Sequence, residues 1–388
     1  MPPITLNRRR FLGCSAASLA LAPGPAGQAA PVVGEATGPV RVGLVGVGNR
    51  GTTLLRTLLE LPGVSVTVVC DPEPRHRARG EGIVEKATGR RPEAVPDPRR
   101  ILDRSDLDAV VVAVPCDLHE TISCQALAAG KHLYAEKPMA ITVAGCDRLI
   151  AESARAPGVV VHVGFQRRSN PRYQEAVGLI RGGGLGPLIE ARASWTSSNG
   201  PLTGHDGWLG DRRRSGDFMV EQAVHIWDVL NWIHGGPPER AVGWGRRGLF
   251  SREHPTRDVT DHYGVELAWA DGFRASFVQS YVAPADENFT GSHLRVLGLD
   301  GGFDFGSGVL TYRDRDRARR SIQPGTRNDT RLALEAFVAA VRSESPPVPP
   351  VTLQDARSAT LTGLLVRKAV DEGRTATLDE ITDAATPG

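Results

Sequence analysis

The sequence predicts an α/β chain in two parts: a parallel, doubly wound sheet, then an α+β half built on an open, mostly antiparallel sheet. Three observations carry that expectation. A short apolar run over 42–45 leads into Gly46, Gly48 and Gly51, and from there into a helical rhythm of leucines (Leu54, Leu55, Leu58, Leu59). Apolar runs and helical stretches then alternate to about residue 160, as strands joined by crossover helices do. Beyond residue 170 the segments alternate apolar and polar positions, which suits strands covered on one face.

The glycine segment sets the first element and its task. Gly46 permits a tight turn, Gly48 lets the backbone approach a pyrophosphate, and Gly51 lets helix and strand pack closely. The helix N-terminus offers unpaired N–H groups and a positive dipole end to phosphates. A second apolar run over 64–70 ends on Asp71, twenty residues after Gly51, where a carboxylate accepts hydrogen bonds from ribose hydroxyls. A plain glycine turn is the alternative in a chain with 44 glycines. The strand–turn–helix–strand–Asp context favours a Rossmann dinucleotide-binding domain, with Asn49 and Arg50 inside its phosphate loop. Asp71 favours NAD, because it repels a 2′-phosphate; Arg75, four residues on, leaves NADP open.

At 388 residues, with 40% apolar and 23% charged side chains, the chain suits two soluble domains of ordinary size. Residues 1–30 are set apart from the fold. Asn7-Arg8-Arg9-Arg10-Phe11-Leu12 is similar to a twin-arginine export signal, followed by a short apolar stretch and small residues suited to cleavage near Ala29 or Ala30. A disordered basic tail is the alternative. The three arginines are its only charged side chains, so its removal takes the net charge from +2 to −1. That balance gives no reason to invoke nucleic acid or an anionic membrane, and the apolar stretch is too short for a stable membrane anchor. The expected place is periplasmic or extracytoplasmic. Cys70, Cys116, Cys124 and Cys146 show neither C-x-x-C spacing nor histidines around them, so buried free thiols are expected and no metal site is.

In chain order, strands are expected over 42–45, 64–69, 109–113, 132–135 and 159–163, with helices over 121–129 and 142–155. The run over 109–113 ends in Val114-Pro115, beside the place a nicotinamide ribose would take; His119 is either a ligand there or a polar residue at a helix start. The run over 132–135 delivers Glu136 and Lys137 to the active edge, and Pro138 stops the ladder. Lys137 is one of only four lysines among 46 basic residues, which hints at chemistry a guanidinium cannot do, such as titrating near neutrality; a surface Glu-Lys pair is the other reading. The second half predicts strands over 189–197, 262–268, 273–282 and 293–297, and helices over 331–343 and 353–372. The segment 216–228 reads as one helix, placing Glu221, His225 and Asp228 on one face. Flanking carboxylates would raise the imidazole pKa and suit it as a general base; a satisfied core histidine fits as well. The loop over 195–214, with Trp208, suits either a polyhydroxylated ligand or plain solvent.

Together these residues resemble the glucose–fructose oxidoreductase/inositol dehydrogenase (Gfo/Idh/MocA) family, from Val40 to about Glu380. The carriers are the 46–51 glycine segment, Asp71, Pro115 with His119, Ala129-Gly130-Lys131-His132 leading to Glu136-Lys137-Pro138, and Gly164-Phe165-Gln166-Arg167-Arg168-Ser169-Asn170-Pro171. The resemblance implies domains over 39–160 (dinucleotide binding) and 161–388 (substrate and oligomer contacts), with an oligomer built on the free sheet face. It implies that Lys137 contacts the reacting hydroxyl and the nicotinamide ribose and that Glu136 supports it, with Gln166 among the cofactor contacts and Arg168, Asp228 and Trp208 toward the substrate. The family's D-x-G-x-H-x-x-D has Glu221 and Ala223 here in place of Asp and Gly, which bears on substrate class. The expected activity is NAD(P)-dependent oxidation of a secondary hydroxyl on a sugar, cyclitol or polyol, with Lys137, His225 and Glu221 catalytic. An exported enzyme of this kind would hold its cofactor through turnover or regenerate it on a second substrate. Two other classes compete: a glycoside hydrolase using transient oxidation by bound NAD, and a non-catalytic sugar-binding relative.

Overall fold

The computed structural model describes residues 38–200, 205–323 and 328–383; the expected export signal lies outside the described residues. Strands β1 (Val40–Val45), β2 (Val64–Cys70), β3 (Glu93–Val95), β4 (Ala109–Val112), β5 (His132–Ala135) and β6 (Val161–Val163) form one parallel sheet in the order 3-2-1-4-5-6. The order reverses between β1 and β4, and such a reversal opens a crevice at the strands' C-terminal ends. β4 is buried throughout, as an unbroken valine run between two helical layers should be. β6 carries the parallel sheet past the expected boundary at residue 160.

Nine further strands form the second sheet: β7 (Leu188–Thr196), β8 (Arg240–Arg247), β9 (Thr260–Ala268), β10 (Arg274–Ser280), β11 (Gly291–Gly298), β12 (Gly301–Asp304), β13 (Val309–Tyr312), β14 (Arg320–Ser321) and β15 (Ala376–Thr377). Their order is 14-13-12-11-7-10-9-8-15, with β7 and β10 parallel and the other pairs antiparallel. Helices Val224–His234 and Leu353–Glu372 belong to its covered face; Trp227 meets Phe277 of β10 edge-on at 4.8 Å. The longer helix starts on a capping box between Thr352 and Asp355.

Helix Asp329–Arg342 follows the second sheet in the chain but packs on the first. Its Leu334, Phe337 and Val338 join Leu54, Leu55 and Leu58 of helix Asn49–Leu59 in one buried cluster. Two expectations fail locally. The segment 216–228 is broken into short helix Phe218–Glu221 and helix Val224–His234, because the Gln222 side chain turns into a buried network, accepting from Gln279 Nε2 at 2.7 Å and from the Tyr281 hydroxyl. β8 was not expected in an arginine- and glycine-rich run. A side chain at its Gly245 would meet Val370 of helix Leu353–Glu372 at 2.6 Å, so close helix–sheet approach selects against the usual strand residues. The four cysteines from Cys70 on are free, three of them buried.

Candidate active site

The C-terminal ends of β1, β2, β4 and β5 open into a cleft of about 1030 Å³. At its floor Gly46 takes a φ of +92° and lies against the Ala113 backbone, leaving no room for a Cβ. Gly51 packs back onto Gly46 and does not line the cleft. Gly48 differs: a Cβ there would meet nothing within 4 Å, so the loop leaves an open cradle. Gly48 supplies no side-chain cap to helix Asn49–Leu59, and its first-turn N–H groups remain for an anion.

Asp71 is buried on the adjoining wall. Its Oδ2 accepts from the Val47 N–H at 2.8 Å and its Oδ1 from the Glu73 N–H at 3.0 Å. His76 Nδ1 lies 3.3 Å from Oδ1. His76, Arg79 and Arg75 line this wall too; His76 and Arg79 had no sequence signal beyond lying one and two turns into the helix after Asp71. The carboxylate is thus fixed by backbone, with lone pairs left for ribose hydroxyls.

Across the crevice, Arg50 Nε donates to Glu136 Oε1 at 2.8 Å and Arg50 Nη1 to Thr330 Oγ1 at 3.0 Å. These bonds tie the glycine loop to the end of β5 and to the returning helix. Glu136 is 3% exposed and lies against Gly164, where a Cβ would come within 2.9 Å of its carboxyl. Lys137 Nζ donates to the Glu221 carbonyl at 2.6 Å and to Glu221 Oε1 at 2.7 Å. Burial pushes the Lys137 ammonium down, but the Glu221 carboxylate outweighs it and the group sits above its ordinary value. Lys137 therefore stays charged and does not titrate near neutrality.

His225 lines the same cleft with Trp208, Leu209 and Arg214. Burial, and then the charges of Lys137, Arg167 and Arg50, hold its imidazole well below the usual histidine range. Its ring lies 6.1 Å from Phe165, edge-on, and 6.1 Å from Trp195; its buried Nδ1 has no hydrogen-bond partner. This reverses the expected upward shift, because neither carboxylate flanks it: Glu221 is committed to Lys137 and Asp228 to Arg168.

A match over residues 40–165 to the family model described as "Oxidoreductase family, NAD-binding Rossmann fold" is followed by one over 173–304 to "GFO/IDH/MocA C-terminal domain". The chain belongs to the Gfo/Idh/MocA family. An inositol 2-dehydrogenase of Acidothermus cellulolyticus is 32% identical over 196 residues, 50% of this chain and 53% of that protein. A myo-inositol 2-dehydrogenase of Thermotoga maritima is 25% identical over 354 residues, 88% of this chain and 99% of that protein. Among solved structures, aldose-aldose oxidoreductase from Caulobacter crescentus, complexed with glycerol, has a TM-score of 0.72 at 22% identity, over 87% of this chain and 99% of that one. The chain spans about half the length of several curated relatives it matches.

Within this Gfo/Idh/MocA chain, the residues read from the sequence converge with three exceptions besides Gly51. Arg168 and Asp228 form a buried ion pair, Arg168 Nε to Asp228 Oδ1 at 2.9 Å, with Arg168 Nη2 also 3.2 Å from Asp355 Oδ1. They lie outside the cleft lining and clamp the segment after β6 to helix Val224–His234. Burial raises the Asp228 carboxyl to about 6, against the pull of Arg168. His119 lines the cleft, but its ring nitrogens are 2.6 Å from the Pro138 carbonyl and 2.8 Å from the Val114 carbonyl. It braces the two loops and leaves no ring nitrogen for a ligand. Pro115 and Gln166 do line the cleft, and Gln166 Oε1 is buried without a partner. The open cradle at Gly48, the fixed Asp71 and this orphaned acceptor fit a dinucleotide. Among the described residues there is no cluster suited to a metal ion and no helix long and apolar enough to cross a membrane.

Proposed function

We propose that this protein is an exported NAD(P)-dependent oxidoreductase acting reversibly on a secondary hydroxyl of a sugar, cyclitol or related polyol, with Lys137 and His225 as its catalytic pair. The observation that carries this reading is a charged lysine and a neutral histidine facing one cleft beyond a dinucleotide cradle. Two of the three Lys137 N–H groups are spent on Glu221, leaving one for a substrate oxygen. His225, held unprotonated, accepts the hydroxyl proton at neutral pH. NAD, when bound, supplies the hydride acceptor for the carbinol carbon. Lys137 steadies the oxygen as it becomes a carbonyl, and Glu221 keeps Lys137 charged while it does so.

The substrate class draws support from the inositol dehydrogenases among the relatives and from Trp208 beside the cleft. Asp71 favours NAD over NADP. Export rests on Arg8, Arg9 and Arg10 ahead of the apolar stretch, and export in turn favours a retained cofactor. The sheet's open face exposes Val242, Trp244 and Val278, which suits a second copy in a homo-oligomer.

The test uses protein purified by its native export route without added nucleotide. Denaturation should release NAD in near-stoichiometric amount, and polyols should reduce it in the folded protein. An empty cleft that also refuses added NAD and NADP would overturn the proposal. Glycoside cleavage without net NADH would instead favour the hydrolytic reading, and tight sugar binding that survives Lys137→Ala without turnover the non-catalytic one.

A further inference from the structure

Asp217 is the one non-glycine residue among those described with a left-handed φ. Its φ of 74° and ψ of 161° fall in a region otherwise essentially reserved for glycine. Such a conformation persists only where surrounding bonds over-determine it, and here they are visible. The carboxylate is fully buried. Its Oδ1 accepts from the Phe218 N–H at 2.7 Å and the Thr260 N–H at 3.2 Å, its Oδ2 from the Thr260 hydroxyl at 2.9 Å, and Arg212 Nε lies 3.5 Å away. The preceding Gly216 is pinned as well, its carbonyl accepting from Arg367 at 3.0 Å.

The bonds lead directly to the cleft. Glu221 N–H donates to the Asp217 carbonyl at 2.8 Å, closing the one-turn helix that Asp217 caps. Glu221 then holds Lys137 through both its carbonyl and its carboxylate. The carbonyl contact is set by backbone, so rotating the Glu221 side chain cannot restore it once the turn moves. We propose that Asp217 is a positioning residue of the reaction: anchored on Thr260 of β9, it fixes the turn that presents Glu221 to Lys137 and leads into the helix bearing His225. This rests on the roles proposed above for Lys137 and His225. A glycine would adopt the same backbone without strain, so the side chain is retained for its bonds rather than for its conformation.

The test compares wild type with Asp217→Gly, which relieves the strain and deletes the anchor, and with Thr260→Val, which removes the partner hydroxyl (and with it an acceptor for Arg247 at 3.3 Å) while keeping the Thr260 N–H. Carbon-13 labelling of the histidine rings and amide hydrogen exchange report on the turn without any substrate. Asp217→Gly should shift the His225 ring signal and speed exchange at Glu221, Gln222 and His225 by about tenfold or more. Thr260→Val should move the same signals in the same direction by less. Turnover of a polyol should fall by about ten- to a hundredfold in kcat, with the Kd for NAD held within about twofold because the cradle is untouched. If Asp217→Gly folds as well as wild type with ring signal and exchange unchanged, the proposal falls, whatever happens to Tm. If it does not fold, Thr260→Val decides on the same readouts. A wild type that turns over no polyol would sink the catalytic reading, while exchange and ring signals would still decide whether Asp217 holds the turn.

Discussion

A buried ammonium stays charged only while its carboxylate neighbour does, and Lys137 depends on Glu221 for that. Replacing Glu221 by Gln keeps the shape and removes the charge that outweighs burial. The alkaline limb of the pH–rate profile, which in wild type should lie above the ordinary lysine range, should then move down by about a unit or more. An alkaline limb unchanged in Glu221→Gln would mean that Lys137 carries no part of it. His225 works with the opposite sign. Its imidazole is held below the usual range by burial and by cations that include Arg167, whose guanidinium lies over Trp195 at 5.4 Å and donates to the His225 carbonyl at 3.4 Å. Removing that positive charge favours the imidazolium, so Arg167→Gln should raise the pKa and shift the acid limb upward; a fixed or falling limb would refute the link. Lys137 and His225 were legible in the sequence because residue type and spacing single them out. Their partners were not. The i, i+4 pairing of Glu221 with His225 assumed an unbroken helix, and the break at Gln222 depends on Gln279 and Tyr281, more than fifty residues away.

The glycine loop shows the same division within one element. Three glycines in that spacing predicted a turn, a close packing and a cradle, and each glycine has the predicted surroundings. What spacing could not show is which of them the empty fold needs. A Cβ at Gly48 meets nothing within 4 Å, and its φ of −65° is open to any residue. Gly48→Ala should therefore melt within a degree or two of wild type while binding NAD about tenfold or more weakly, since the methyl group takes the space a pyrophosphate approaches. Equal affinity in a titration with NAD would place the phosphates elsewhere. Elements with strong periodicity, such as β5 and helix Leu353–Glu372, end where the sequence pattern ends. β3 and β8 were missed because both are held by neighbours rather than by their own propensity: β3 is three residues at a sheet edge, and β8 has glycines where Val370 needs room.

Across the whole molecule, the return of helix Asp329–Arg342 to the first sheet packs residues far apart in the sequence into one core, and no local pattern announces such a return. It also buries a titratable group. His162 on β6 is 5% exposed and its ring lies 5.5 Å from Phe337 of that helix. Burial alone pushes its pKa down to about 4, against about 6.5 in an unfolded chain. A depressed histidine binds its proton more readily in the unfolded state, so its cost is absent above pH 6.5 and grows as pH falls from about 6.5 to about 4. The slope is at most one proton, about 1.4 kcal/mol per pH unit, and the total loss by pH 4 is up to about 3 kcal/mol. Asp228 opposes it: its carboxyl, raised to about 6, takes a proton more readily in the folded state and adds stability as pH falls through the window between that value and the ordinary aspartate range. A His162→Leu variant removes the first contribution and keeps the second. Denaturant unfolding at pH 7, 6 and 5 should show wild type losing stability toward acid more steeply than His162→Leu, with the two slopes converging above pH 7. Parallel slopes across that range would mean that His162 binds its proton as readily in the folded core as in the unfolded chain, and that the helix–sheet contact tolerates a charge its burial argues against.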